Sequence, residues 1–239
     1  MRWMTFGGKA LSDFNVYVDG SQVYKKPAKT FSKYSIPGRN GDIFMNTNRY
    51  ENVTLSFKCF IRQNFGKNYS DLMDYLNSFD GYQKLETSEE PLVYRKALFH
   101  SSVNPNTGAF NHYGSFTLTF DCMPQQFLKT GDNPIYIAPN KTVKLTNPTY
   151  QKAKPFITVN AGENGSIAIN EESILLDLNF LPTYIDCELL DAWAIADGIV
   201  VNANQSVDIS DNPIVLNPGV NEITTTNCSI AIMPRWWKI

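Results

Sequence analysis

The sequence predicts a mainly β protein, and three observations carry that prediction. Apolar and polar residues alternate in two clean runs, one helical stretch lies between them, and beyond Pro155 the chain breaks into many short apolar runs separated by Gly, Asn and Pro. Composition agrees. With 43% hydrophobic, 13% aromatic and 18% charged residues among 239, the chain is neither disordered nor fibrous and carries enough apolar matter for its own core. At about 100–200 residues per domain, this length fits two small domains.

The first alternation runs over 53–61, where Val53, Leu55, Phe57, Cys59 and Ile61 occupy the odd positions and Thr54, Ser56 and Lys58 lie between them. That is the period of a half-buried strand. Phe116, Leu118, Phe120 and Cys122 repeat it against Ser115, Thr117, Thr119 and Asp121. Two such strands belong to one antiparallel sheet or barrel. Between them, Tyr69, Leu72, Met73, Leu76 and Phe79 recur at helical spacing, predicting a helix over 68–80 that Asn68 or Ser70 caps and Gly81 ends. A strand follows over 92–100, and turn residues at 104–108 precede the climb into the second core strand.

After Pro124 the punctuation changes. Residues 131–150 read as a linker with one or two brief strands, separating a domain over 1–130 from one over 151–239. The second domain shows short strands at 156–159, 166–169, 174–178, 183–190, 200–201, 206–209, 214–216, 222–226 and 230–233, with turn signals at 162–165, 211–213 and 217–219. Many short strands at close spacing predict a β-sandwich. Charge divides similarly, with 17 basic against 12 acidic residues up to Asn147 and 4 against 11 from Pro148 onward, within a net charge of −2. Opposite signs suggest halves facing different surroundings.

Several function classes find little support. No apolar run approaches the roughly 20 residues of a membrane span, and the start lacks a secretory h-region, so the chain is expected to fold in a cytoplasm. Cys59, Cys122, Cys187 and Cys228 are far apart, as buried free thiols are, with no redox or zinc spacing. His100 and His112 are the only histidines, and in a simple hairpin around 104–108 they would face each other without further metal ligands. Asp186 and Glu188, two apart in a predicted strand, would share a face as glycosidase carboxylates do, but Asp191 points to the other face and a solvated strand explains the pair as well. Trp193, Trp236 and Trp237 suit core or interface packing, or sugar stacking on the sandwich. Gly38 and Gly41 form no phosphate loop, and Lys25, Lys26, Lys29 and Lys33 read as guards of an edge strand. No cofactor is implied.

Taken in order, the segments at 35–42 (Ser-Ile-Pro-Gly-Arg-Asn-Gly-Asp), 49–52 (Arg-Tyr-Glu-Asn), the helix near 71–79, 186–189 (Asp-Cys-Glu-Leu), 216–221 (Leu-Asn-Pro-Gly-Val-Asn) and 234–237 (Pro-Arg-Trp-Trp) are similar to the distal tail protein family of long-tailed, non-contractile bacteriophages. The resemblance spans nearly the whole chain. It implies an N-terminal β-barrel-like domain with one helix and an extended hairpin, followed by a galectin-like sandwich. It also implies a structural, non-enzymatic role in the virion: a hexameric ring at the tail tip between tail tube and tail-associated hub, a platform for receptor-binding proteins, with DNA passing through its channel unread. The residues by which galectins hold galactose have no counterpart after Pro148, and no arm-like insertion is visible. The alternative is a module binding cell-wall glycan through Trp193 or Trp236.

A ring subunit needs two complementary faces. Tyr24, Phe31 and Tyr34, in a Lys-rich segment at 23–34, are expected to extend a neighbour's sheet. Arg39, Asp42, Arg49 and Glu51 are expected either in ion pairs between subunits or, around Gly38 and Gly41, in a turn held within one chain by Arg49 and Asp42.

Overall fold

The computed structural model describes residues 2–21, 23–161, 164–178, 182–207 and 214–239, in two compact units, one running to Gln126 with Ile239 added and one spanning Phe127–Lys238. The first unit contains β1 (Met4–Phe6), β2 (Lys9–Ala10), β3 (Val16–Ser21), β4 (Lys29–Tyr34), β5 (Ile43–Tyr50), β6 (Val53–Ile61), α1 (Phe65–Asn77), β7 (Gln83–Thr87), β8 (Val93–Phe99), β9 (Asn106–Gly108) and β10 (Tyr113–Leu128). Its main sheet, a curled half-barrel, runs β2-β1-β7-β8-β10-β6-β3, with β9 added along β10. The two alternating runs are its centre. β6 and β10 pair antiparallel, with Phe116 opposite Cys59, Leu118 opposite Phe57 and Phe120 opposite Leu55. All six of these side chains are buried. Phe6, Phe57 and Phe99 gather around Phe120 with ring centroids 5.0–5.8 Å away, the spacing of edge and tilted aromatic contacts.

The helix begins earlier than its periodicity predicts. Asn64 takes a left-handed conformation at φ 51°, and the Phe65 amide donates to the His112 carbonyl at 3.2 Å, so no side-chain cap is used. Asn68, the expected cap, lies buried inside the helix, donating to the Gln63 carbonyl and accepting from Asn15. Phe65 extends the apolar stripe by stacking on Tyr69 and meeting Phe116 edge-on. Gly114 leaves room for this ring, since a Cβ there would lie 2.7 Å from it. The C-terminus comes at Ser78, whose hydroxyl donates to the Tyr75 carbonyl, before Gly81 is reached.

The turn expected at 104–108 is displaced. Residues 106–108 pair with β10 as β9, and the reversal occurs at Ala109, Phe110 and Asn111, all at positive φ. His112 therefore lies in a turn, and the cross-strand histidine pair does not form.

The second unit contains β11 (Ile135–Ile137), β12 (Thr142–Asn147), β13 (Phe156–Ala161), β14 (Asn164–Ile169), β15 (Glu172–Asp177), β16 (Thr183–Asp186), β17 (Asp191–Ala196), β18 (Ile199–Asn202), β19 (Gly219–Thr226) and β20 (Ser229–Met233). A six-stranded sheet β11-β20-β13-β16-β17-β18 and a four-stranded sheet β12-β19-β14-β15 share one apolar core, to which the first gives Ile157, Ile185 and Ile232 and the second Ile167, Ile174 and Ile223. This is a sandwich. The stretch read as a linker contributes a strand to each sheet, β11 beside β20 and β12 beside β19. The strand expected over 183–190 stops at Asp186, because the chain turns at Cys187–Leu190 and returns as β17. The strand expected at 206–209 and the turns at 162–165 and 211–213 fall partly or wholly outside the described residues, although Val207 forms a bridge with Leu176. All four cysteines are buried free thiols, and burial pushes Cys59, Cys122 and Cys187 up to about 12.

Candidate functional site

Among the described residues no three or more His, Cys, Asp or Glu side chains converge as a metal site would require, and no helix is long and apolar enough to cross a membrane. Asp186 and Glu188 do not share a strand face. β16 ends at Asp186, whose Oδ1 accepts the Glu188 amide at 2.9 Å and the Leu189 amide at 3.3 Å, capping the turn. Arg235 closes a two-pronged pair with the same carboxylate at 2.8 and 2.9 Å. Burial alone would raise the Asp186 carboxyl, but the Arg235 hydrogen bonds and charge and the two amides outweigh it and hold it below the usual carboxylate range. With one oxygen on two turn amides and both on Arg235, the carboxylate is engaged as a structural clamp. Trp236 is only 4% exposed within the core, which removes it as a sugar platform. Trp193 stands between Tyr184 and Phe156, with centroids 5.9 and 5.8 Å away, on the outward side of β17.

The feature that the core does not absorb is the β4–β5 hairpin. These strands pair only with each other, with Ser32 opposite Met45, Lys33 opposite Phe44 and Tyr34 opposite Ile43, and a bulge between Lys29 and Phe31. Alternation places Phe31, Lys33 and Phe44 on one face and Tyr34, Ile43 and Met45 on the other. Neither face is covered: Phe44 is 59% and Met45 58% exposed, and Phe31, Tyr34 and Ile43 are exposed too. Among the described residues the cover is local. Phe31 and Phe44 meet edge-on at 6.4 Å, Lys33 lies over Phe44 at 5.4 Å, and Lys29 over Phe31 and Tyr50 at 5.8 Å.

The root is fixed by polar contacts. The Glu51 amide donates to the Ala28 carbonyl, closing the hairpin's base. Buried Arg95 donates to the Lys25 and Pro124 carbonyls at 3.3 and 3.5 Å, and burial pulls its guanidinium below the usual value. Lys26 reaches buried Gln126 at 3.0 Å. The hairpin is thus a strip tied down at one end, because an isolated two-stranded ribbon is marginal in water.

The expected interface residues fall partly on this strip. Phe31, Tyr34 and Arg49 lie on its strands, Arg39 and Asp42 in its tip, and Tyr24 and Glu51 near its root. The hairpin spans 29–50 rather than 23–34, since Val23 is buried in the core and residues 23–24 form a turn. No ion pair among the described residues joins Arg49 to Asp42, and the tip is shaped instead by Gly38 and Gly41 at φ 82° and 83° and by the Arg39 amide on the Ile36 carbonyl. Sequence reasoning missed Ile43, Phe44 and Met45. Three consecutive apolar residues without alternation, followed by Asn46-Thr47-Asn48, were the available signal.

Comparison with known proteins reaches the same unit from another direction. Residues 11–122 match the family described as phage tail protein RIFT-related domain. Over those residues it resembles a phage tail domain. No curated relative matches it in sequence. Among solved structures, the Dit protein of phage SPP1, titled a paradigm of the hub adsorption apparatus in phages infecting Gram-positive hosts, superposes with a TM-score of 0.72 at 13% identity, covering 97% of each chain. Chains of the phage P2 baseplate in its activated conformation superpose at 0.60 with Ca and 0.59 with Sr, each at 13% identity and 97% coverage of both chains. The resemblance to the siphophage distal tail family is borne out, and the fold over both units is that of a distal tail protein. The structures that it resembles belong to phage tail-tip and baseplate assemblies.

Proposed function

We propose that this chain is the subunit of a closed, six-membered ring at the distal end of a siphophage tail, assembled in the host cytoplasm, joining the tail tube to the hub and serving the host-recognition apparatus. One observation carries the reading: a rooted hairpin with apolar residues on both faces and no cover from its own chain. Such a strip is an interaction arm whose complement lies on another molecule. A head-to-tail contact between unlike faces closes into a ring when its rotation divides a full turn, and copies of one chain supply both faces at equal number. The first unit, with 131–150 belonging to the following module, is the ring-forming part. The sandwich is the outward docking module for tail-tip partners, and a low net charge suits a channel through which DNA passes without being retained.

Light scattering behind size exclusion, with negative-stain images of the peak, tests this. A six-subunit ring that collapses to monomer in Phe31→Ser/Phe44→Ser supports the arm as the contact. A wild-type chain that stays monomeric both alone and co-expressed with a tail tube protein and hub overturns the ring.

A further inference from the structure

The hairpin tip also carries a reactive dipeptide. Asn-Gly occurs twice in the sequence, at 40–41 and at 164–165, and the two copies sit in opposite environments. Asn40 and Gly41 lie in the exposed tip between β4 and β5, and neither residue takes part in a hydrogen bond. Gly41 is at φ 83° and has nothing within 4 Å of where a Cβ would be. Asn164 and Gly165 instead lie in β14, paired opposite Asp177 and Leu176. A Cβ on Gly165 would lie 2.4 Å from the Thr226 carbonyl oxygen, so that backbone has no room to turn.

We propose that Asn40 is a site of spontaneous, base-promoted succinimide formation, a modification that adds one negative charge to the hairpin tip. The Gly41 amide nitrogen gives its proton to hydroxide and attacks Asn40 Cγ. The new N–Cγ bond closes a five-membered imide as the Cγ–Nδ2 bond breaks, and the departing nitrogen takes a proton and leaves as ammonia. Water then adds to either imide carbonyl and opens the ring, leaving aspartate or isoaspartate at position 40. No oxidant or cofactor enters. Attack requires the Asn40 backbone to rotate until the next nitrogen reaches its own side chain. A glycine in open space permits that rotation, and a strand ladder forbids it. The added charge falls between Arg39 and Asp42, on a segment whose other charges are mostly basic.

The site is a property of the free chain and does not depend on the ring reading, so the two fail separately. The test incubates the purified full chain at mildly alkaline pH and follows each asparagine by peptide mapping, with enzymatic detection of isoaspartate. The expected result is an acidic charge variant whose modification maps to Asn40, with Asn164 unchanged until the protein is denatured. Asn40→Gln removes the five-membered route and abolishes the variant, and Asn40→Asp reproduces its charge. Conversion at Asn164 as fast as at Asn40 in the native chain overturns the proposal, as does an Asn40 that converts only after denaturation. Modification that persists in Asn40→Gln overturns it too.

Discussion

β5 and β6 are neighbours in sequence, separated by Glu51 and Asn52, and they show what decides whether an apolar strand belongs to its own chain. Every odd position from Val53 to Ile61 on β6 is buried, and the strand has a partner on each side in β10 and β3. β5 carries Ile43, Phe44 and Met45 consecutively, so its apolar residues point to both faces, and it pairs with β4 alone. One strand is written for a single core. The other carries apolar residues on both faces, and the described residues leave them exposed.

The sharpest way to break that contrast is to make the same deletion in both strands. Phe57→Ala, on β6, removes a fully buried ring that meets Phe120 and is expected to cost about 3–5 kcal/mol, read as a large loss in denaturation midpoint. Phe44→Ala, on β5, is expected to change the stability of the monomer by less than about 0.5 kcal/mol while removing self-association. Equal losses in chemical denaturation would mean that the hairpin has an intramolecular partner after all.

Charges supply a second contrast. Asp186→Asn is expected to cost about 2 kcal/mol, because it leaves Arg235 and the amides of the 187–190 turn poorly satisfied. Its pH dependence has a definite sign. Folding lowers the Asp186 pKa, so the contribution is complete above the ordinary value of 3.8 and disappears as pH falls through the lower native value. The wild-type acid limb should therefore be steeper than that of Asp186→Asn in pH-dependent melts. Arg49→Gln, on the hairpin, should leave the monomer's melting and acid limb unchanged.

Backbone offers the smaller test. Gly131→Ala places a Cβ within 2.4 Å of the Trp236 amide and should cost about 1–3 kcal/mol. Gly38→Ala, in open space but at φ 82°, should cost about 1 kcal/mol and appear mainly in the geometry of the tip. Smallest of all is the expected effect on thiol protection of replacing the hairpin between Ala28 and Glu51 by a short turn. Cys59 and Cys122 should stay as slow toward alkylation as in the full chain, since their burial owes nothing to β4 or β5.

The half-barrel centre and the sandwich were legible in the sequence because alternation records burial directly, as β6 and β10 do. The helix's register was legible in Leu72 and Leu76, but its start was not, because the Phe65 amide is held by the carbonyl of His112, distant in sequence. Asp186 and Glu188 misled for a related reason. Their spacing fits a strand, but Asp186 ends β16 by binding the amides that follow, so the side chain builds a turn where sequence spacing suggests a shared face. For the exposed hairpin, Phe31, Tyr34 and Arg49 were singled out through composition and resemblance. Ile43, Phe44 and Met45 were missed because an unalternating triplet resembles an interior segment until its lack of neighbours is seen.

The lysines lying over Phe31, Tyr50 and Phe44 have a bearing on when the arm engages. An apolar ribbon with open edges invites indiscriminate pairing, and cations parked over its rings keep it hydrated in a chain that is waiting. On the proposed reading of the hairpin as an arm, docking would first have to move or desolvate those ammonium groups, which would separate encounter from commitment. Such an arm would be retained only by a surface that supplies both apolar contact and somewhere for the lysines to go.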